Sequence, residues 1–157
     1  MTATKVIGES VKQTNRTFIK SYVNDYADAI TENYRRYHIR TLKGNLSGNY
    51  PEYAREQLDA IENGTANLYK FVVKTGKRYY KIVQQEFETW EGSRNYGKYA
   101  DGSVHCFVDK ETGDVYKPAS WQAPAKHIRF TFQNVDHLKF LLNPDNVGWA
   151  GGYLYIR

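Results

Sequence analysis

Between Ser103 and Phe132 the sequence SVHCFVDKETGDVYKPASWQAPAKHIRFTF leaves the backbone very few paths. Val104, Cys106 and Val108 alternate with His105 and Phe107, and Val115 and Lys117 alternate with Asp114 and Tyr116, a period of two that marks strands. Between these runs, Asp109-Lys110-Glu111-Thr112-Gly113-Asp114 must reverse the chain. Asp109 suits turn initiation, and Gly113 supplies the positive φ with which such turns end. Pro118 lacks an N–H and holds Lys117 extended, so the hairpin closes there. The segment from Ala119 to Lys126 is too proline-limited for a helix and too rich in small residues for a strand. It is expected to be an ordered loop pinned by Trp121, leading into a strand from Ile128 to Phe132.

Upstream, Met1 to Thr14 shows little pattern and is expected to be a loose or docked arm. From Asn15, Phe18, Tyr22, Tyr26, Ile30 and Tyr34 recur every fourth residue, with Ile19, Val23 and Tyr37 beside them, which predicts an amphipathic helix of six or seven turns ending near Gly44. Arg35, Arg36, His38, Arg40 and Lys43 close it with cations, favourable at the negative end of a helix dipole or available to a phosphate. Pro51 and Glu52 open a shorter helix that Asn63-Gly64 ends. Leu68–Val73 and Tyr79–Val83 read as a second hairpin, followed by a long loop from Glu86 to Asp101. Asn134 caps a short helix carrying Leu138, Leu141 and Leu142 on one face, and Tyr153–Arg157 reads as a terminal strand.

Helices first and hairpins after predict an α+β fold, with N-terminal helices packed on a mainly antiparallel sheet built from two β-hairpins plus C-terminal strands. A length of 157 residues fits one domain, 1–157, with an arm at 1–14, a helical part at 15–64 and a sheet part at 67–157. No window approaches 18 apolar residues and the N-terminus has no apolar leader, so the chain is expected to be soluble, unexported and without membrane partners.

The charges are unevenly placed. The chain carries 22 basic and 17 acidic residues, net +5, and the segment from Asn67 to Gln85 alone holds five cations and no acid. These are Lys70, Lys74, Lys77, Arg78 and Lys81, interleaved with Tyr69, Phe71, Tyr79 and Tyr80. Cations beside aromatic rings on a sheet suit single-stranded nucleic acid, since bases stack on the rings while phosphates meet the charges. Tyr79, Tyr80 and Trp121 are the stacking candidates. Lys117, Lys126 and Arg129 extend the set along the proline loop. The plainer reading makes this an exposed hairpin whose lysines discourage edge pairing while its aromatics face the core.

Chemistry is harder to find. No nucleophile elbow, zincin helix, phosphate loop or dinucleotide fingerprint is present, and no acid, base and nucleophile converge, so an enzyme is the weaker expectation and no cofactor is implied. His105 and Cys106 are neighbours that an ordinary strand would point to opposite faces, a poor metal site. The lone Cys106 reads as a core residue and excludes an internal disulfide. Asp109, Glu111 and Asp114 lack the spacing of a calcium loop.

From about Tyr69 to Arg157, and above all in GSVHCFVDKETGDVYKPASWQAPAKHIRF and the terminal WAGGYLYIR, the chain resembles small proteins of unassigned activity encoded by marine tailed phages of cyanophage type. The resemblance implies a virus-encoded protein acting in the cytoplasm of an infected bacterial host or in the virion. It supplies no catalytic residues. The expectation is a non-enzymatic nucleic-acid-binding accessory protein, with single-stranded DNA as partner. The alternatives are a virion component or host-factor binder, including a homo-oligomer joined through Tyr22, Tyr26 and Tyr34, and a small enzyme or inhibitor taking a phosphorylated ligand at the loop from Lys117 to Lys126.

Overall fold

A computed structural model describes the backbone of residues 3–156 and the side chains of residues 15–156. Helix α1 (Ala3–Asn45) and helix α2 (Pro51–Glu62) precede five strands, β1 (Lys70–Thr75), β2 (Tyr79–Phe87), β3 (Tyr99–Asp109), β4 (Asp114–Tyr116) and β5 (Phe130–Thr131). Helix α3 (Val135–Leu141) and a 3-10 turn (Gly152–Leu154) follow. The strands pair antiparallel in the order β1-β2-β3-β4-β5, each with its neighbour in sequence. This is the α+β arrangement expected, and no helix among the described residues is long and apolar enough to cross a membrane.

Helix α1 covers one face of the sheet. Its inward row is Ile19, Val23, Tyr26, Ala27, Ile30 and Tyr34, all buried, packed with Phe71, Tyr80, Ile82, Cys106, Val108 and Val115 from the strands. At the sheet edge, the Thr31 hydroxyl donates to Ala27 O (2.9 Å) and accepts from Phe71 N (3.3 Å), meeting a backbone group that β1 would otherwise leave unpaired. Asn33 ties the far end of the chain to the same helix, donating to Pro144 O (2.7 Å) and accepting from Trp149 N (2.9 Å).

A chain of polar groups runs through this core. The Tyr26 and Tyr153 hydroxyls lie 2.5 Å apart, and Tyr153 Oη lies 2.7 Å from His105 Nε2. The remaining ring nitrogen of His105 meets the Trp149 carbonyl. A carbonyl can only accept, so that nitrogen carries the hydrogen, Nε2 accepts from Tyr153, and Tyr153 is left to accept from Tyr26. Burial pushes the imidazole down to about 4 and the adjacent Cys106 thiol up to about 12. Both stay neutral at pH 7. His105 and Cys106 can both face α1 because the β2–β3 register slips between Ile82 and Val83, where Cys106 pairs with Ile82 and Val104 with Val83. His105 is the extra residue of that bulge, so the expected alternation fails there, and the register slips a second time between Val83 and Gln85.

Several boundaries differ from the sequence reading. Helix α1 begins at Ala3 rather than near Thr14, so its backbone runs through the expected arm; Met1 and Thr2 lie outside the described residues. The long loop shrinks to residues 88–98, because β2 runs on to Phe87 and β3 starts at Tyr99. Gly151 at φ +82° turns the expected terminal strand into a 3-10 turn, which carries Leu154 into the core (1% exposed) and brings Tyr153 to its hydrogen bonds. The strand expected over Ile128 to Phe132 keeps only Phe130 and Thr131, since His127 at φ +73° breaks the extended run before it. Tyr26 and Tyr34 are buried within one copy, so they are not available to join copies. Asn134 caps α3 as expected, accepting from Asp136 N and His137 N.

Two outcomes follow from these features. Above pH 6.5 neither state protonates His105; between 6.5 and about 4 the unfolded chain gains a proton that the folded one refuses. Stability measured by urea titration should therefore fall across that window by up to ~3 kcal/mol, with half-buried His38 acting in the same direction. His105→Gln should show a flatter profile. Gly113 sits at φ +75° with the place of a Cβ only 2.9 Å from Phe132 Cβ, and Gly113→Ala should cost about 1–3 kcal/mol in the same assay.

Candidate nucleic-acid interface

Cross-strand partners share a face of a sheet, so the register sorts the candidates. Lys74 pairs with Lys81, Lys81 with Phe107, and Phe107 with Tyr116, a row across four strands. Tyr79, two residues from Lys81, and Lys70, four from Lys74, join that face. The other face carries Phe71, Tyr80, Ile82 and Val108 under α1. Lys70, Lys74, Tyr79 and Lys81 are thus brought together on the face that α1 leaves open. Trp121, 41% exposed, joins them, with Lys81 Nζ 4.9 Å from its ring.

The cations on this face are not equally available. Lys74 Nζ sits 2.7 Å from Asp101 Oδ2, and Gln85 donates to Asp101 Oδ1 at 2.8 Å. Those contacts hold the Asp101 carboxyl below its usual range. Lys70 Nζ lies 4.0 Å over the Tyr99 ring. Lys81 lies 5.7 Å from the buried Phe107 ring as well as over Trp121, and no carboxylate among the described residues comes within ion-pair distance of it. An ammonium between two aromatic rings, one of them exposed, is the centre of the arrangement. Tyr79 packs edge-on against both Phe107 (5.8 Å) and Tyr116 (6.1 Å), which fixes its ring in place.

Two candidates are excluded from the interface. Tyr80 is only 6% exposed and belongs to the core, since neighbours on a strand face opposite ways and Tyr79 takes the open side. Arg129 is committed to the backbone: Nε donates to Leu154 O (2.6 Å), while one terminal nitrogen donates to Lys126 O (2.7 Å) and His127 O (2.6 Å). This guanidinium clamps the left-handed His127 and the C-terminal segment. Lys117 turns toward that segment, its ammonium 4.7 Å over the Tyr155 ring. Lys126 is exposed on the loop. The loop itself is not pinned by Trp121. It is held by Ala125 N to Lys117 O (2.7 Å), Ala119 N to Ala123 O (3.0 Å) and the Ser120 hydroxyl, which accepts from Gln122 N and Ala123 N.

Lys77 and Arg78 occupy a different place, a groove of about 1160 Å³ at the end of the sheet. Its walls are Arg16, Thr17 and Lys20 of α1, Lys77 and Arg78 of the β1–β2 turn, and Asp109 to Thr112 of the β3–β4 turn, with Tyr80 between them. Arg16, Lys20 and Lys110 were not among the sequence candidates. They lie far apart in the chain, and no local pattern marks them. Elsewhere, Arg35 and Arg36 of the basic helix cluster pair with Glu32 (3.3 and 3.1 Å), and Arg36 also reaches Asp145 (3.1 Å).

If Arg129 is a clamp, Arg129→Met should lower stability by about 2 kcal/mol, through lost charge-assisted bonds to carbonyls, and leave nucleic-acid affinity unchanged. Denaturation and anisotropy titration on the same preparation separate the two.

A family model described as a family of unknown function, DUF7717, matches residues 5–156. No curated protein and no solved structure matches the chain.

Proposed function

Because the chain belongs to DUF7717, a family whose function is unknown, we propose its role from geometry: it binds single-stranded nucleic acid, DNA foremost, across the open face of its sheet. The observation that carries this is the Lys81 ammonium, without a carboxylate partner among the described residues and lying near the rings of Phe107 and the exposed Trp121, with Tyr79 and Lys70 on the same face. Trp121 offers a ring for a base and Lys81 a charge for the adjoining phosphate, while Lys74 becomes available when a phosphate displaces Asp101. A duplex, whose bases are already stacked, gains only the charge contacts. The reading is of a binding protein without catalysis. The likeness of Tyr69–Arg157 to marine tailed-phage proteins supports an accessory role in an infected bacterial cell or in the virion.

A second reading has its own support. Trp90 and Tyr96 are 70% and 50% exposed on the 88–98 loop. That loop is braced by Gly97 N to Glu88 O (2.9 Å), Glu88 N to Lys98 O (2.9 Å) and Trp90 N to Glu88 Oε1 (2.9 Å). Two aromatic rings on a braced loop suit contact with a host or virion protein.

Anisotropy titration with labelled single- and double-stranded DNA across a salt series tests the first reading. Single strands should bind more tightly, with affinity falling steeply as salt rises. Lys81→Gln/Trp121→Ala should weaken binding about tenfold or more, the scale of one lost base stack and one phosphate contact. Equal affinity of the variant and the parent, or no binding at low salt, would remove the sheet face from consideration.

A further inference from the structure

The groove at the end of the sheet has a composition that the sheet-face reading does not use. Among the described residues, five cations from three separate segments, Arg16, Lys20, Lys77, Arg78 and Lys110, line it with two carboxylates, Asp109 and Glu111. Their sum is +3, against +5 for the whole chain. Like charges gathered without compensation repel one another, so the convergence costs stability unless an anion sits among them.

The acids present compensate poorly. Asp109 Oδ1 accepts from Glu111 N (2.8 Å) and Thr112 N (3.0 Å), and its other oxygen is 3.8 Å from Arg78 Nε, long for an ion pair. Its role is to shape the turn. Glu111 pairs with Arg16 at 2.8 Å, but the two side chains are 70% and 45% exposed, and such pairs are worth little in water. Lys20 and Lys77 make no ion pair among the described residues. Lys110 is aimed by its bond to Gly76 O (3.1 Å), with its ammonium 5.5 Å from the Tyr80 ring. Among the described residues the groove therefore holds two amines without carboxylate partners, one anchored amine, and two guanidiniums whose present partners a stronger anion would displace. The five cations reach one groove from three separate chain segments.

We propose that this groove is a binding site for a compact phosphoryl group of two or more negative charges, a phosphomonoester or a di- or triphosphate. That chemistry is carried both by the 5′-phosphorylated end of a strand and by a free nucleotide. Arg16 and Arg78 take the phosphate oxygens by paired N–H bonds, and Lys20, Lys77 and Lys110 neutralise the rest. The site rests on its own residues, and it stands or falls separately from strand binding by the sheet face.

Calorimetric titration with inorganic pyrophosphate at physiological salt tests it, on the full chain, on Lys20→Gln/Lys77→Gln and on Lys81→Gln/Trp121→Ala. Pyrophosphate should bind the parent saturably, bind the groove variant at least about tenfold more weakly, and bind the sheet-face variant as it binds the parent. All three proteins should stay folded, the groove variant melting no lower than the parent because two uncompensated charges are gone, and the sheet-face variant somewhat lower because Lys81 helps to cover Phe107. Two further probes identify the source. Preference for a 5′-phosphorylated oligonucleotide over its 5′-hydroxyl twin, lost in the groove variant, assigns the strand end. Equal oligonucleotide affinities with groove-dependent binding of a nucleoside triphosphate assign the free nucleotide. Absence of saturable pyrophosphate binding, or equal affinity in parent and groove variant, overturns the proposal. Loss of single-strand binding only in the sheet-face variant leaves the groove site intact.

Discussion

The packing of a single helix on a single face governs this molecule. The row from Ile19 to Tyr34 buries one side of a five-stranded sheet and leaves the other without a covering layer. A sheet face in that position must protect its own apolar residues. Here Phe107 and Val83 are fully buried on the open side even though no helix lies there. Phe107 is enclosed by Tyr79, Tyr116 and the stem of Lys81, long side chains that cover apolar surface while keeping a polar end in water. The residues that make the face sound in water are thus the same ones that give it rings and charges to offer.

The buried polar chain from Tyr26 through Tyr153 to His105 is the second constraint, and it costs something. A hydroxyl or imidazole carried out of water without partners loses on the order of 1–3 kcal/mol, so each group must meet the next. In return the chain fixes the register of three distant segments at once, since a helix displaced by one turn would strand every member. Apolar contacts tolerate sliding far better than hydrogen bonds do.

Much of this was legible in the sequence. The turn from Asp109 to Gly113, the start of α2 at Pro51 and the Asn134 cap depend on residues whose backbone chemistry is local, and each stands where expected. The terminal strand was misread because Tyr153-Leu154-Tyr155 alternates like a strand, while Gly151 and the pull of the core on Tyr153 decide otherwise. Tyr79 and Tyr80 are neighbours on a stretch of β2 whose pairing is regular, so only one of them can face a ligand on the open side. The groove was invisible for a different reason: Lys20, Lys77 and Lys110 are neighbours only through the fold, and charge has no period that reports such a meeting.

The sheet is a simple meander, each strand beside the one made just before it, so its pairing can proceed in sequence with short loop closures. The helix that completes it precedes every strand, and its polar partners lie far along the chain. Tyr26 waits for Tyr153, and Asn33 for Pro144 and Trp149, while the apolar row of α1 finds its partners in the strands between them. During synthesis, the apolar row of α1 therefore stays uncovered until the strands that carry Phe71 to Val115 have followed it. Without the segment from Trp149 to Tyr153 the row would still meet the sheet, but Tyr26 and Asn33 would each lose a hydrogen-bond partner, so the polar side of the helix is completed by residues more than a hundred positions away.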